Sequence, residues 1–182
     1  SIGLLGDKIA LVILVVLFGL LIFLVFRMRE KNAKVNRSTL IWMAILSILI
    51  LGLTPFFGIS VDLDAGSPFN QSPVLHLMFF TAVPWLVAGG VIGVIPASLL
   101  AGMSGLLFSY LETHQIYTPL VFISMALFFT WGVRQRYRTT FYKLLRVPIF
   151  SSLFALIITT PLLFLTHFLT LSGEFPTRIA IT

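Results

Sequence analysis

The chain has 182 residues, 58% of them hydrophobic and only 10% charged, with a mean hydropathy of +1.07 and a formal charge of +6. Soluble domains carry roughly 25% charged residues, so this composition excludes an ordinary soluble core and points to a chain that lies in lipid. There is no cysteine, which excludes disulfides, iron–sulfur ligation and thiol catalysis.

Several uncharged runs reach the ~20 residues that a helix needs to cross a hydrocarbon core of about 30 Å. A membrane barrel would instead need short segments of alternating polarity, and these runs are apolar on every face. The fold class expected is therefore all-α, a polytopic membrane bundle of six transmembrane helices in one domain, with both termini outside and the basic loops cytoplasmic. The chain begins at Ser1 rather than at a methionine and stops at Thr182, so it can also be a piece of something longer.

Span one covers about Ile9 to Phe26 and ends on Arg27, Arg29, Lys31, Lys34 and Arg37, which face Glu30 alone. A short loop this basic belongs on the cytoplasmic side. Span two, about Thr39 to Ile59, weakens at Gly52 and Pro55. The following loop carries Asp62 and Asp64 without a base and should face outward; Asn70-Gln71-Ser72 within it matches a glycosylation acceptor by chance.

Val74 to Tyr110 then runs for nearly forty residues without a polar break, too long for one helix at 1.5 Å per residue. It must be a hairpin of span three, 74–90, and span four, 94–110. The turn is expected near Gly89, Gly90 and Gly93, with Pro96 in the first turn of the next helix and Pro84 kinking span three.

In span four Ala97, Ala101, Gly105 and Ser109 recur every fourth residue, with Ser98 and Gly102 beside them. This small-xxx-small pattern lets helix backbones approach closely, and it also leaves room for a ligand. A protein partner or a second copy is the expected neighbour of this helix.

Leu111 to Gln115 is expected to be an outer loop, followed by span five, 116–133. The second basic loop holds Arg134, Arg136, Arg138, Lys143 and Arg146, interleaved with Tyr137, Phe141, Leu144 and Leu145. It reads as an amphipathic stretch whose bases face anionic headgroups on the inner leaflet. Span six, 147–171, carries Thr159, Thr160 and Pro161 at its centre.

The charges agree with this arrangement. Ten of the twelve Lys and Arg, five in each of two loops, fall inside, and five of the six acids fall outside. A single span from Val74 to Tyr110 would put the two basic loops on opposite sides. The bases lie between apolar spans, so lipid rather than nucleic acid is the partner they suggest.

No span holds an Asp, Glu, Lys or Arg at depth, which argues against proton relays, voltage sensors and ion-coupled transport. Hydrolase, nucleotide-binding and metalloprotease motifs are absent, and no catalytic role is expected. His76, His114 and His167 all fall on the outer side in this arrangement, and interfacial histidines satisfied by water and headgroups are favoured over a zinc or copper site because no pair has ligand spacing. No metal or cofactor is expected; a pocket for a quinone or pigment among Phe79, Phe80, Phe128 and Phe129 is the less favoured reading of aromatics that belong to helix or lipid contacts.

The stretch Pro96-Ala-Ser-Leu-Leu-Ala-Gly-Met-Ser-Gly-Leu-Leu107, followed by a short outer loop, Pro119, another span and a basic exit, resembles the membrane regions of bacterial multi-span sensors of the LytS type. It is also similar to the glycine-rich helix of the substrate-binding S components of energy-coupling-factor transporters. The resemblance covers about Leu75 to Arg146 and carries no catalytic motif, and the Asn and Arg positions of the LytS-type pattern are not evident. It implies a non-enzymatic sensory or anchoring module in a bacterial inner membrane, with a small-molecule or metal importer subunit and an accessory subunit of a membrane complex as the alternatives.

Overall fold

The structure, a computed structural model, describes residues 2–28, 36–53, 59–62, 74–77, 81–113, 115–135 and 139–172. These form seven α-helices and one small strand pair. The helices are α1 (Ile2–Met28), α2 (Arg37–Leu53), α3 (Val83–Val91), α4 (Val94–Phe108), α5 (Thr118–Arg134), α6 (Thr140–Leu145) and α7 (Pro148–Ser172). A π-helical turn, Ser109–Thr113, extends α4.

Strands β1 (Ile59–Asp62) and β2 (Val74–Leu77) pair antiparallel, with Ser60 opposite His76 and Asp62 opposite Val74. This corrects two boundaries. Span two ends as a helix at Leu53 rather than at Ile59, and span three does not begin at Val74. The reason is local: Ile59-Ser60-Val61-Asp62 alternates apolar and polar residues with the period of a strand, and it supplies a backbone partner for Val74–Leu77. Among the described residues, the α-helical part of span three is the nine residues of α3. Pro84 does not kink it but sits in its first turn, where a missing N–H costs nothing.

The break between α3 and α4 falls at Gly93, whose φ of 146° is open to glycine and strained for any other residue. The backbone N–H groups of Ile92 and Gly93 both return to the carbonyl of Ala88, at 2.8 and 2.9 Å, and end α3 there. At the other end of α4, Ser109 Oγ donates to the Gln115 carbonyl at 2.6 Å and closes the corner into α5.

Helix α5 is the centre of the molecule. It packs most extensively on α4 and α7, then on α3 and α1. Gly105 of α4 lies beside Pro119 and Gly102 beside Ile123, so α4 and α5 run antiparallel. Gly89 of α3 meets Phe129 and Thr130, and Gly93 meets Arg134, so α3 runs alongside α5 in the same sense. Together these contacts make α3 and α4 a hairpin whose turn stands at the Arg134 end of α5.

The core gathers Leu46 and Ile50 of α2, Trp85 and Ala88 of α3, Ala97, Leu100 and Ala101 of α4, Ala126 and Phe129 of α5, and Ala155 of α7. The outer helices expose long aliphatic side chains: Val16, Phe23, Ile48, Val91, Leu106, Ile149, Ile157 and Phe164 among them. None of the large hydrophobics exposed in the described residues belongs to α5. Two helical segments among the described residues, Val94–Leu111 and Pro148–Thr166, are long and apolar enough to cross a membrane; Val12–Met28, Arg37–Gly52 and Thr118–Arg134 are apolar and shorter.

Candidate functional site: a glycine-spaced helix seam and its basic end

Three glycines set the spacing of the central helices. A Cβ built on Gly105 would stand 2.6 Å from the Pro119 Cα and 3.2 Å from the Phe122 Cβ, so α4 and α5 touch backbone to backbone there. At Gly89 the side chain of Thr130 occupies the space that a Cβ would take, and at Gly132 that of Ser151 does. Ser151 Oγ also donates to the Phe129 carbonyl at 3.3 Å, which ties α7 to α5 beside that approach.

The small residues of α4 are divided among different neighbours. Ala97, Ala101 and Gly105 are buried, Ser98 is buried, Gly102 is half-buried against Ile123, and Ser109 is taken up by the corner to α5. The side chains that α4 leaves exposed are Leu99, Met103 and Leu106. The stripe is therefore consumed within this chain. Glycines 89 and 132 do not stand out in the sequence as packing positions, because one sits among turn signals and the other lies at the end of an apolar run, two residues before Arg134.

Around the seam, four buried donor groups have no hydrogen-bond partner among the described residues: Trp85 Nε1, Ser98 Oγ, Ser104 Oγ and Thr130 Oγ1. Helical Ser and Thr usually return their hydroxyls to a carbonyl one turn back, as Ser124 does to Leu120 at 2.8 Å and Thr159 to Ala155 at 2.7 Å. Trp85 meets Phe129 edge to face, with ring centroids 6.4 Å apart. Phe129 is buried and Phe128 half-buried; Phe79 and Phe80 lie outside the described residues.

The Arg134 end of α5 is a folded corner. Gln135 Nε2 donates to the Tyr142 carbonyl, and Arg146 Nε donates to the Gln135 carbonyl at 3.2 Å. Trp131 stacks on Phe154 at 5.9 Å and meets Tyr142 edge to face at 6.3 Å, which pins α6 and the start of α7 to α5. Lys143 and Arg146 are exposed, and Arg134 is half-buried beside Gly93. Arg136, Arg138 and Tyr137 lie outside the described residues.

The apolar face expected here is split. Leu145 turns inward and is 3% exposed, while Phe141 and Leu144 remain outside. Adjacent residues on a helix diverge by a little over a quarter turn, so Leu144 and Leu145 do not share a surface once α6 is tied to α5.

His76 sits in β2, and His167 falls in α7; His114 lies outside the described residues. The described residues hold no group of three or more His, Asp or Glu. A separate feature that the sequence does not announce is a cleft of about 130 Å³ where α1 and α7 flank α5. Its walls come from Leu17 to Leu24 of α1, Leu120 to Phe128 of α5 and Ile158 to Leu162 of α7. Comparison with protein-family models, curated proteins and solved structures gave no match.

Proposed function

We propose that this chain is a non-catalytic integral membrane module, of the sensory or anchoring kind, from a signalling protein of a bacterial inner membrane. The observation that carries the reading is the distribution of exposure. The outer helices leave Val, Leu, Ile and Phe uncovered over most of their length, while α5 at the centre leaves no large hydrophobic side chain uncovered. In water so large an apolar surface is a liability; in lipid it is the ordinary outside of a bundle.

The orientation proposed is both basic loops in the cytoplasm and six crossings, the third of them ending in α3. The contact of Gly93 with Arg134 supports it, since it sets the α3–α4 turn at the same end as the second basic loop. Lys143 and Arg146, exposed at that corner, would meet anionic headgroups. The resemblance of the Pro96–Leu107 stretch to bacterial sensor regions is what turns the reading toward signalling. An importer subunit that docks its partner on the small-residue stripe fits less well, because Ala97, Ala101 and Gly105 are already covered within this chain.

The absence of native cysteine makes the test simple. Lys143→Cys and Asp62→Cys are expressed separately in bacteria and exposed to a membrane-impermeant maleimide, before and after lysis. The reading expects Asp62→Cys to label in intact cells with the outer membrane permeabilised, and Lys143→Cys to label only after lysis. Labelling of both from the same side, or recovery of the chain in the soluble fraction, overturns it.

A further inference from the structure

We propose that the cleft between α1, α5 and α7 is a binding site for one acyl chain of a membrane phospholipid, a reading that rests on the membrane placement above. The cleft measures about 130 Å³, close to the ~150 Å³ of apolar cavities that stay dry and take up benzene or xenon. Its walls are leucine and isoleucine with one phenyl ring, Phe128. The two hydroxyls on the walls make no demand on a guest: Ser124 donates to the Leu120 carbonyl at 2.8 Å, and Thr159 donates to Ala155 at 2.7 Å and lies 3.1 Å from the Leu156 carbonyl. A polar ligand would find nothing to pair with, and a hydrocarbon loses nothing.

The cleft opens on the side of the bundle that faces lipid. Leu20 and Ile158 line the cleft and are also 55% and 37% exposed, so they form its mouth on the apolar outer face of the bundle. Leu120, Leu127 and Thr159, each about 1% exposed, form its floor. The guest therefore enters from the surface that the lipid hydrocarbon covers, and it reaches Leu120, Ser124 and Leu127 of α5, which are buried. Pro161, within α7 next to the cleft, removes one helical hydrogen bond, and Thr159 and Thr160 send their hydroxyls back to the preceding turn there.

The burial of α5 makes the test decisive. The full chain is reconstituted into vesicles of phosphatidylcholine that contain a small fraction of the same lipid with a diazirine in its acyl chain; after irradiation, the adducts are mapped by mass spectrometry. Ordinary boundary lipid marks the outer faces of α1, α2 and α7. An acyl chain in the cleft also marks Leu120, Ser124 or Leu127, and Ser124→Phe, which fills the cleft, should reduce those adducts at least fivefold. Leu20→Trp at the exposed mouth does the same without touching the core, and it decides the matter if Ser124→Phe fails to fold. Adducts on the outer faces and none on Leu120, Ser124 or Leu127 overturn this proposal while leaving the membrane reading intact. Adducts on Leu120 or Leu127 that persist in both folded variants overturn it as well. No adducts on any helix overturn the membrane reading itself.

Discussion

Gly105 of α4 and Pro119 of α5 meet at the closest approach to backbone of any described glycine: a Cβ placed on Gly105 would stand 2.6 Å from the Pro119 Cα. Nothing there can move out of the way, because the obstructing atom is main chain and its ring fixes φ. Gly102, one turn earlier on α4, differs, since its built Cβ meets only the flexible end of Ile123 at 3.4 Å.

Gly105→Ala is therefore expected to lower stability by about 1–3 kcal/mol, the range for overpacking a well-packed site. Gly102→Ala is expected to be neutral, or to gain up to about 1 kcal/mol from the higher helix propensity of alanine. Melting of both variants in the same detergent checks this; equal melting temperatures for the two would mean that the α4–α5 seam is not held at Gly105.

A second close approach should respond more softly. At Gly132 the obstacle is the hydroxyl of Ser151, which can rotate away at the loss of its bond to the Phe129 carbonyl. Gly132→Ala is expected to cost about 1 kcal/mol, the net worth of one hydrogen bond. Pairing it with Ser151→Ala, which leaves only a Cβ at ordinary contact distance, 3.4 Å, should recover part of that loss. The coupling is measured as a double-mutant cycle, and strict additivity of the two changes would rule out the contact.

The difference between these two glycines also marks how far the sequence could be read. Gly105 lies on a four-residue stripe of small residues, so its packing role is visible in the spacing. Gly132 packs just as closely, but it has no small neighbours at that interval; only the arrival of Ser151 from another helix makes it a contact. The break at Gly93 could be placed because a charge-free run of that length cannot be one span. The strand pair could not, because Val74–Leu77 opens an apolar run that any helical reading absorbs. Helix α5 gave no sign of being the centre, since the long helices here are apolar around most of their circumference and periodicity does not separate an inner face from a lipid-facing one.

Ser104 carries a buried hydroxyl with no partner among the described residues, on a helix where alanine is the better helix former. Ser104→Ala is expected to raise stability by about 1 kcal/mol, because it removes a polar group that is desolvated without return. Ser124→Ala provides the comparison, since that hydroxyl is paired with the Leu120 carbonyl and its removal should give no such gain. Denaturation of the two variants side by side settles the point, and a loss of stability in Ser104→Ala would show that its hydroxyl has a partner in the folded protein.

Gly93 joins backbone conformation to the arrangement of charge. Its φ of 146° and ψ of −176° lie in a region that is essentially restricted to glycine, where another residue costs of order 1–3 kcal/mol. Its built Cβ would also lie 3.3 Å from the Arg134 guanidinium, so a side chain there pushes on the end of α5. Gly93→Ala should thus destabilise the α3–α4 turn. Gly90→Ala, three residues away with nothing within 4 Å of its Cβ, should be harmless or slightly stabilising. Arg134→Ala would relieve the second effect and not the first, so Gly93→Ala should remain destabilising by at least 1 kcal/mol in an Arg134→Ala background. If the penalty vanishes there, the turn is held by the arginine contact and not by the glycine's backbone.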